Sequence, residues 1–148
     1  MRAILLKSAG AEKIINHLVA YGYDRIVVFC DGEIDIDRSY YQMNDIEIIT
    51  ANSFAKERTQ DKLQKIRGSL ESCFLIVYSD MACLYDMDEA LKIHRKKQGI
   101  ITVTQNENKM TFAICEPEVL DYITKDITSF EGEVIPRIAE DSELSVLD

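Results

Sequence analysis

The sequence predicts an α/β protein with three layers and a Rossmann-like, mostly parallel mixed sheet. Short β-branched apolar runs alternate with helical patterns of about 10 residues, as they do in βαβ units. The 148 residues suffice for one such domain, and no repeat, low-complexity tract or Pro/Gly-rich linker divides them. We therefore treat residues 1–148 as a single domain.

The first half of the chain carries four apolar runs with helical patterns between them. The run before Ser79 and Asp80 is the most strongly apolar, as expected of a strand covered on both faces. Gly22 supplies a helix stop after the first helical pattern. The predicted strands are RAILL (2–6), RIVVFC (25–30), DIEIIT (45–50) and CFLIVY (73–78), and the predicted helices lie in AEKIINHLVAYGY (11–23) and RTQDKLQKIRGSL (58–70).

The second half begins with a helix that has recognisable ends. Asp86, with Glu89 three residues later, resembles a capping box, and Gly99 is expected to close the helix. Two strands, IITVT (100–104) and MTFAIC (110–115), flank the polar turn QNENK. A short helix from Pro117, a helix over 131–139 and a final strand ELSVL (143–147) complete the prediction.

Charge and composition limit the classes of partner. The net charge of −9 disfavours nucleic acid, whose binding rests mainly on Lys and Arg. A net negative charge is still compatible with binding of a single nucleotide together with a magnesium ion. The four cysteines show no C-x-x-C spacing, so zinc is not expected, and they have the pattern of reduced cytosolic thiols.

The hydrophobic segments predict a cytoplasmic protein without a membrane partner. No apolar run approaches the roughly 20 residues that a spanning helix needs. The first residues, MRAILLKSAG, are less apolar than the core of about 7 to 15 residues expected of a signal peptide.

Polar residues at the carboxyl ends of the predicted parallel strands mark the candidate site, because ligands of such sheets bind beyond those ends. These residues are Lys7, Ser8, Asp31, Thr50, Ser79 and Asp80. Asp80 has two interpretations, a magnesium ligand or a residue that serves turn geometry alone. Ser8 and Gly10 precede a helix whose N–H groups are suited to a phosphate, and the alternative is a tight connection.

Histidines give no catalytic pattern. His94 lies with Arg95, Lys96 and Lys97 in the last turn of a predicted helix, where cations oppose the dipole, so we expect a structural role. His17 lies among apolar helix residues. Neither a Ser-His-Asp nor a Cys-His arrangement is indicated.

Residues 74–103, FLIVYSDMACLYDMDEALKIHRKKQGIITV, resemble the central segment of sugar-1-phosphate nucleotidyltransferases. In that family a buried strand ends in a Gly-Asp pair, followed by a loop, a helix with an FHR-like stretch and an A-T-V-type strand. Ser79-Asp80 takes the place of the pair here. MRAILL, KIINHLVAYGYDRIVVFC, MTFAICEPEVLDYI and EGEVIPRIAEDSEL resemble further segments in the same order, nearest to short cytidylyl- and guanylyl-transferase-like members.

The resemblance implies the nucleotide-diphospho-sugar transferase fold. It also implies transfer of a nucleotidyl group from a nucleoside triphosphate to a sugar 1-phosphate, with Asp80 on Mg²⁺. The implied nucleotide contacts include Thr59 and Ser79, beside Ser8 and Gly10 from the helix N-terminus.

Three departures from the family bear on this function. The first loop is only KSAGAEK (7–13), without Gly-Thr-Arg or a Lys-Pro pair. The base-binding stretch is RTQDKL, which keeps Thr59 but has no glycine. No D-I-G-T-P-type segment occurs in the 148 residues, so only one of the family's two metal aspartates has a counterpart.

These departures leave more than one function open. The first hypothesis is the family's enzyme, with catalysis weakened by the missing loop or completed by a partner subunit. The second is a non-catalytic descendant that binds a nucleotide, a nucleotide sugar or a protein partner, including a second copy. The third is a glycosyltransferase of the related fold, in which Ser79-Asp80 belongs to a metal-binding acidic motif.

Overall fold

The structure is a computed structural model that describes residues 1–53, 57–106 and 109–147. In these residues seven strands form one sheet, ordered β3-β2-β1-β4-β6-β5-β7. The four strands of the first half pair in parallel, β6 is antiparallel to both of its neighbours, and β7 is parallel to β5. The strands are β1 (Arg2–Leu5), β2 (Arg25–Cys30), β3 (Glu47–Asn52), β4 (Phe74–Val77), β5 (Ile101–Asn106), β6 (Lys109–Cys115) and β7 (Leu144–Leu147).

Helices cover both faces of this sheet, which confirms the three-layer prediction. The helices are α1 (Ala11–Ala20), α2 (Arg38–Met43), α3 (Thr59–Lys65), α4 (Met87–Lys97) and α5 (Ile135–Glu140). Residues of α1, α2 and α4 join one apolar cluster, and those of α3 and α5 join the other. No helix in the described ranges has the length and apolar character that a membrane span requires.

The central strands contribute side chains to both clusters, because successive side chains of a strand point to opposite faces. In β4, Phe74 and Ile76 pack on the face of α3 and α5, whereas Leu75 and Val77 pack on the face of α1 and α4. All four are essentially inaccessible to solvent. The continuous apolar runs therefore belong to buried strands, as the sequence predicted.

The end of α4 differs from the prediction. The residue in the left-handed conformation is Gln98, with φ 58°, and not Gly99. Gly99 is required for a different reason, because a Cβ there would lie 2.6 Å from the carbonyl oxygen of Glu143. The glycine thus allows the two chain segments before β5 and β7 to approach each other closely.

The predicted helix over 131–139 is divided into two parts. Phe130–Val134 form a wide π-helical turn, and α5 follows at Ile135. Pro136 lies in the first turn of α5, directly after the π-helical turn. The hairpin strands are longer than predicted, since they extend to Asn106 and from Lys109, and residues 107 and 108 of the predicted turn lie outside the described residues.

Candidate functional site

A cleft of about 870 Å³ lies beyond the carboxyl ends of β1 and β4. The strand order changes direction between these two strands, since β2 and β3 lie on one side and β6, β5 and β7 on the other. Such a switch point is where open α/β sheets bind ligands. The fold therefore places this cleft where the parallel topology predicts a ligand site.

Of the predicted polar residues at the strand ends, Lys7 lines this cleft, whereas Asp31 and Thr50 do not. Four of the five predicted nucleotide and metal contacts also line it: Gly10, Thr59, Ser79 and Asp80. The fifth, Ser8, lies outside it. Ser8 lines a separate, smaller depression of about 350 Å³, together with residues of α1 and of the 33–36 loop. Its predicted contact with phosphate stays a prediction.

Asp80 follows β4 at the mouth of the cleft and is exposed. The preceding Ser79 accepts a hydrogen bond from the backbone N–H of Met81, at 3.1 Å, and so caps the short 3₁₀ turn of residues 80–84. The Ser79 side chain therefore stabilises the turn, whereas the Asp80 carboxylate lies beside Gly10 at the mouth of the cleft. The turn geometry thus depends on Ser79, and the binding of magnesium by Asp80 stays a prediction.

A divalent cation at Asp80 would take most of its ligands from elsewhere. In the described part of the chain, Asp80 belongs to no convergent group of three His, Cys, Asp or Glu ligands. Magnesium is often held by one or two carboxylates, with phosphate oxygens and water completing the shell. The residues present fit a metal ion that arrives with a phosphorylated ligand.

The connection from β1 to α1 comprises residues 6–10 and ends at Gly10, which has φ 70°. The Ala11 N–H donates to the Ser8 carbonyl at 3.1 Å, so the tight turn uses one of the helix's first donors itself. A left-handed residue at this position favours glycine. The short loop predicted from KSAGAEK is therefore a compact turn beside the cleft.

Lys62 is a cleft residue that the sequence analysis did not identify. Its Nζ donates to the carbonyl oxygen of Leu6 at 2.8 Å and lies 5.8 Å from the centroid of the Phe29 ring. The side chain is buried, and burial lowers the pKa of the ammonium group. No local pattern marked Lys62, because a lysine of an amphipathic helix normally lies on its exposed face. A buried ammonium thus fixes the start of the β1–α1 loop.

The cleft concentrates positive charge in an acidic protein. Four residues with cationic side chains line it and three with carboxylates, although the whole chain carries 17 Lys and Arg against 26 Asp and Glu. The cationic residues are Lys7, Arg58, Lys62 and Lys109, and the acidic ones are Glu57, Asp80 and Glu131. The balance of charge in the cleft is therefore suited to an anionic ligand.

The wall formed by α3 and the 130–134 turn is polar and ordered by hydrogen bonds. The Thr59 hydroxyl donates to Oε1 of Glu131 at 2.5 Å. The side-chain oxygen of buried Gln60 accepts from the Phe130 N–H at 3.2 Å. The Nε2 of Gln60 and the Tyr78 hydroxyl are buried without a hydrogen-bond partner among the described residues.

The pKa of the Tyr78 hydroxyl is held well above its ordinary value by burial and by the negative charge of Glu131. Tyr78 therefore stays protonated at neutral pH and offers a hydrogen-bond donor. Tyr78 and Gln60 both belong to the lining of the cleft, on the side of Glu131.

Comparisons with known proteins identify the fold. The sequence matches no protein-family model and no curated protein. Among solved structures, HddC from Yersinia pseudotuberculosis is similar over 99% of this chain and 88% of its own, with 10% identity and a TM-score of 0.62. A cytidylyltransferase from Leptospira borgpetersenii is similar over 99% of this chain and 74% of its own, with 11% identity and a TM-score of 0.61.

A second enzyme class shares the fold. Glucosyl-3-phosphoglycerate synthase from Mycobacterium tuberculosis, solved with Mn²⁺ and uridine diphosphate, is similar over 99% of this chain and 68% of its own. The identity is 9% and the TM-score 0.57. The chain therefore has the nucleotide-diphospho-sugar transferase fold, which is shared by nucleotidyltransferase-like and glycosyltransferase-like proteins.

Proposed function

We propose that the cleft binds a nucleoside triphosphate or a nucleotide sugar, and that the chain is a relative of the sugar-1-phosphate nucleotidyltransferases. In this proposal Asp80 binds the magnesium ion that accompanies the phosphates, and the lysines next to it face the phosphate groups. Thr59, Gln60 and Tyr78 contact the nucleoside end. The similarity to nucleotide-sugar enzymes supports the choice of ligand class.

The single observation that carries the proposal is the combination of charges around Asp80. A carboxylate and several cations share one cleft, and this is the set of groups that a metal–phosphate complex requires. Of the cations, Lys62 is fixed by its bond to the Leu6 carbonyl and so is already ordered before a ligand arrives. An ordered donor loses little entropy on binding.

The unpartnered donors of the opposite wall support the assignment of the nucleoside end. A buried polar group without a partner costs about 1–3 kcal/mol. A carbonyl or hydroxyl oxygen of a base or a ribose is an acceptor that would satisfy the Gln60 amide, whereas the Tyr78 hydroxyl also interacts with the Glu131 carboxylate. Ligand binding would thus remove the energetic cost of an unpartnered buried group in the free protein.

The reaction we assign is nucleotidyl transfer, in which the sugar-phosphate oxygen attacks the α-phosphorus and pyrophosphate leaves. A magnesium ion, when bound, neutralises the charge that develops on the phosphates. The chain's own residues bind and orient: Lys7 and Lys62 face the phosphates, and Asp80 holds the metal. Gly10, which lies beside Asp80, places the N-terminus of α1 near the same groups.

A second candidate function is nucleotide or nucleotide-sugar binding without transfer. It is favoured by the β1–α1 connection, which comprises only residues 6–10 and carries one glycine. Loss of one preorganised donor at a comparable site lowers the rate about 10²–10³-fold. A non-catalytic protein would keep the cleft and its charges. Its function would be to bind the nucleotide or nucleotide sugar, or to bind a protein partner.

The first experiment measures the thermal midpoint with each nucleoside triphosphate and nucleotide sugar, with and without Mg²⁺. A ligand at 100 times its Kd adds about 2.7 kcal/mol of stability. For a chain of this size the midpoint should rise by roughly 5–10 °C. Asp80→Asn should remove the magnesium-dependent part of this rise.

Asp31→Asn is the matched control, since Asp31 is exposed, lies at the same edge of the sheet and does not line the cleft. It should behave as the wild type. Absence of a shift with all ligands would refute the proposal. Pyrophosphate release in the presence of sugar 1-phosphates then separates transfer from binding alone.

A further inference from the structure

Three side chains that are distant in the sequence meet at the ends of β4 and β6 that lie opposite the cleft. Cys73 immediately precedes β4, Glu116 immediately follows the antiparallel β6, and His94 belongs to α4. The register pairs Phe74 with Cys115, so Cys73 and Glu116 lie next to each other across the two strands. One ligand atom of each of the three side chains lies within 4.8 Å of the others.

We propose that Cys73, His94 and Glu116 form a binding site for a divalent transition-metal ion, and that zinc is the ion whose ligands they match. Zinc takes thiolate sulfur, imidazole nitrogen and carboxylate oxygen, usually in a tetrahedral arrangement. Magnesium and calcium, by contrast, prefer shells of oxygen alone. Two of the three donors here are nitrogen and sulfur, so this site is chemically distinct from the one at Asp80.

The orientation of the imidazole is already that of a metal ligand. The Nδ1 of His94 lies 2.7 Å from the hydroxyl oxygen of Thr102, and both residues are buried. In the metal-free protein a proton lies between Nε2 of His94 and the Glu116 carboxylate, 2.6 Å apart. A bound ion would replace this proton, and Nδ1 would then carry the ring's remaining proton and donate it to the Thr102 hydroxyl. Protein groups that bind the second nitrogen in this way fix the tautomer of most metal-bound histidines.

A small movement makes room for the ion. The Nε2 of His94 lies 2.6 Å from Oε2 of Glu116. Tetrahedral zinc holds its nitrogen and oxygen ligands roughly 3.3 Å apart. The carboxylate must therefore retreat by less than an ångström, and the Glu116 side chain, which is 34% exposed at a strand end, is able to do so. The same exposure admits the ion and a water molecule as fourth ligand.

The ligands are far apart along the chain, which explains why cysteine spacing gave no reason to expect zinc. His94 was expected to oppose the dipole of α4 from its last turn. It is instead 2% exposed and hydrogen-bonded to β5 and to the end of β6. The simpler alternative is a metal-free cluster in which His94 and Glu116 attach α4 to the sheet.

Cobalt(II) distinguishes the two interpretations, because a thiolate–cobalt bond gives a charge-transfer absorption in the near ultraviolet and tetrahedral cobalt absorbs in the visible. The reduced protein is titrated with Co²⁺ and then with Zn²⁺. The proposal expects both absorptions at one ion per chain and their loss on adding zinc. It also expects transfer of the Cys73 thiol proton to the buffer, because the ligand must be the thiolate.

Variants assign the absorptions to residues. Cys73→Ser should abolish the charge-transfer band, and Glu116→Gln should weaken Co²⁺ binding at least ~10-fold. Cys83→Ser is the matched control, since Cys83 is also a partly exposed free thiol but lies near α1, with its Sγ 3.8 Å from the Lys13 carbonyl oxygen. It should retain both absorptions.

Asp80→Asn should also retain both absorptions, which separates this site from the cleft. Absence of the bands in the wild type, or bands that persist in Cys73→Ser, would overturn the proposal. If Cys73→Ser does not fold, Glu116→Gln decides, because its partly exposed side chain tolerates the exchange. Unchanged Co²⁺ affinity in that variant would equally refute the site.

Discussion

The Cβ of Asp80 lies 3.6 Å from the position that a Cβ would take on Gly10, and Oδ2 of Asp80 lies 3.9 Å from the same position. The carboxylate of the β4 end therefore lies directly beside the N-terminus of α1. This contact joins the two strands between which the sheet changes direction, β1 and β4. A negative group here is favoured by the helix dipole.

Replacement of Gly10 by alanine should destabilise the protein through the backbone and not through a collision. Gly10 has φ 70°, and the left-handed conformation costs an L-residue roughly 1–2 kcal/mol. The 3.6 Å distance to Asp80 is an ordinary van der Waals contact. Urea denaturation of Gly10→Ala measures the loss. Gly68→Ala, at a position with open space around it and no positive φ, should change stability by less than about 0.5 kcal/mol.

Replacement of Lys62 by methionine should weaken nucleotide binding. The variant keeps the length of the side chain and removes the ammonium that the proposal places at the phosphates. Hydrogen bonds to charged groups contribute about 1.5–3 kcal/mol, so Kd should increase roughly 10- to 100-fold. Isothermal titration with the ligand found in the thermal screen measures this change. Lys92→Met, at an exposed position of α4, should bind as the wild type does, and equal affinity in the two variants would contradict the assignment.

The sequence was sufficient for those parts of the fold that depend on neighbouring residues. Buried strands such as β4 were predictable because a strand covered on both faces must be apolar at every position. The start of α4 was predictable because Asp86 caps its own helix, and its side chain accepts from the Glu89 N–H at 3.1 Å. The place of the cleft followed from parallel strand order, which the alternation of strands and helices implied.

Features that depend on contacts between distant segments were not predictable in this way. Lys62 looks like any polar residue of an amphipathic helix until β1 brings the Leu6 carbonyl next to it, 56 residues away. His94 looked like a surface cation because Thr102 and Glu116 approach it only through strand pairing. Gly99 was assigned to a helix end, whereas the approach of Glu143, which immediately precedes β7, is what excludes a side chain there.

The hydrogen bond between Thr59 and Glu131 should couple the two sides of the polar cleft wall. It joins the start of α3 to the π-helical turn over 72 residues of sequence, and its acceptor is charged. Thr59→Val should therefore cost about 1.5–3 kcal/mol of unfolding free energy. A double-mutant cycle with Glu131→Gln tests the cause, because a direct bond requires a coupling energy of at least ~0.5 kcal/mol. Strictly additive effects would show that the two residues act separately.

Replacement of Gly99 by alanine should disturb the sheet edge formed by β5 and β7. The new Cβ would lie 2.6 Å from the Glu143 carbonyl oxygen and 3.2 Å from its carbon, and both are backbone atoms. The same carbonyl accepts the Ile100 N–H at 3.0 Å, so displacement of Glu143 weakens this bond as well. Overpacking of this kind costs typically about 1–3 kcal/mol. Thermal denaturation should show a lower midpoint than that of Gly68→Ala, and hydrogen exchange should be faster in β7 than in β1.

Removal of the Tyr23 hydroxyl should change the alkaline limb of the stability profile. Tyr23 is 3% exposed, and its hydroxyl has no hydrogen-bond partner in the described residues. Burial, reinforced by the charges of Cys73 and Asp88, raises its pKa above the ordinary value of 10.0. The folded state then keeps this proton at a pH where the unfolded chain loses it. The stabilising contribution is full below pH 10 and declines as the pH rises further.

The variant to compare is Tyr23→Phe, which keeps the ring and deletes the titrating group. At pH 7 it should be as stable as the wild type or about 1 kcal/mol more stable, because a buried unpartnered hydroxyl is lost. Above pH 10 the wild type should lose up to about 1.4 kcal/mol per pH unit relative to the variant. Urea denaturation between pH 7 and 11, with a reductant present, measures both effects, and Tyr40→Phe controls for loss of a hydroxyl at an exposed ring. Parallel profiles for the wild type and Tyr23→Phe would mean that the Tyr23 hydroxyl reaches solvent in the folded state, since only an inaccessible phenol keeps its proton beyond pH 10.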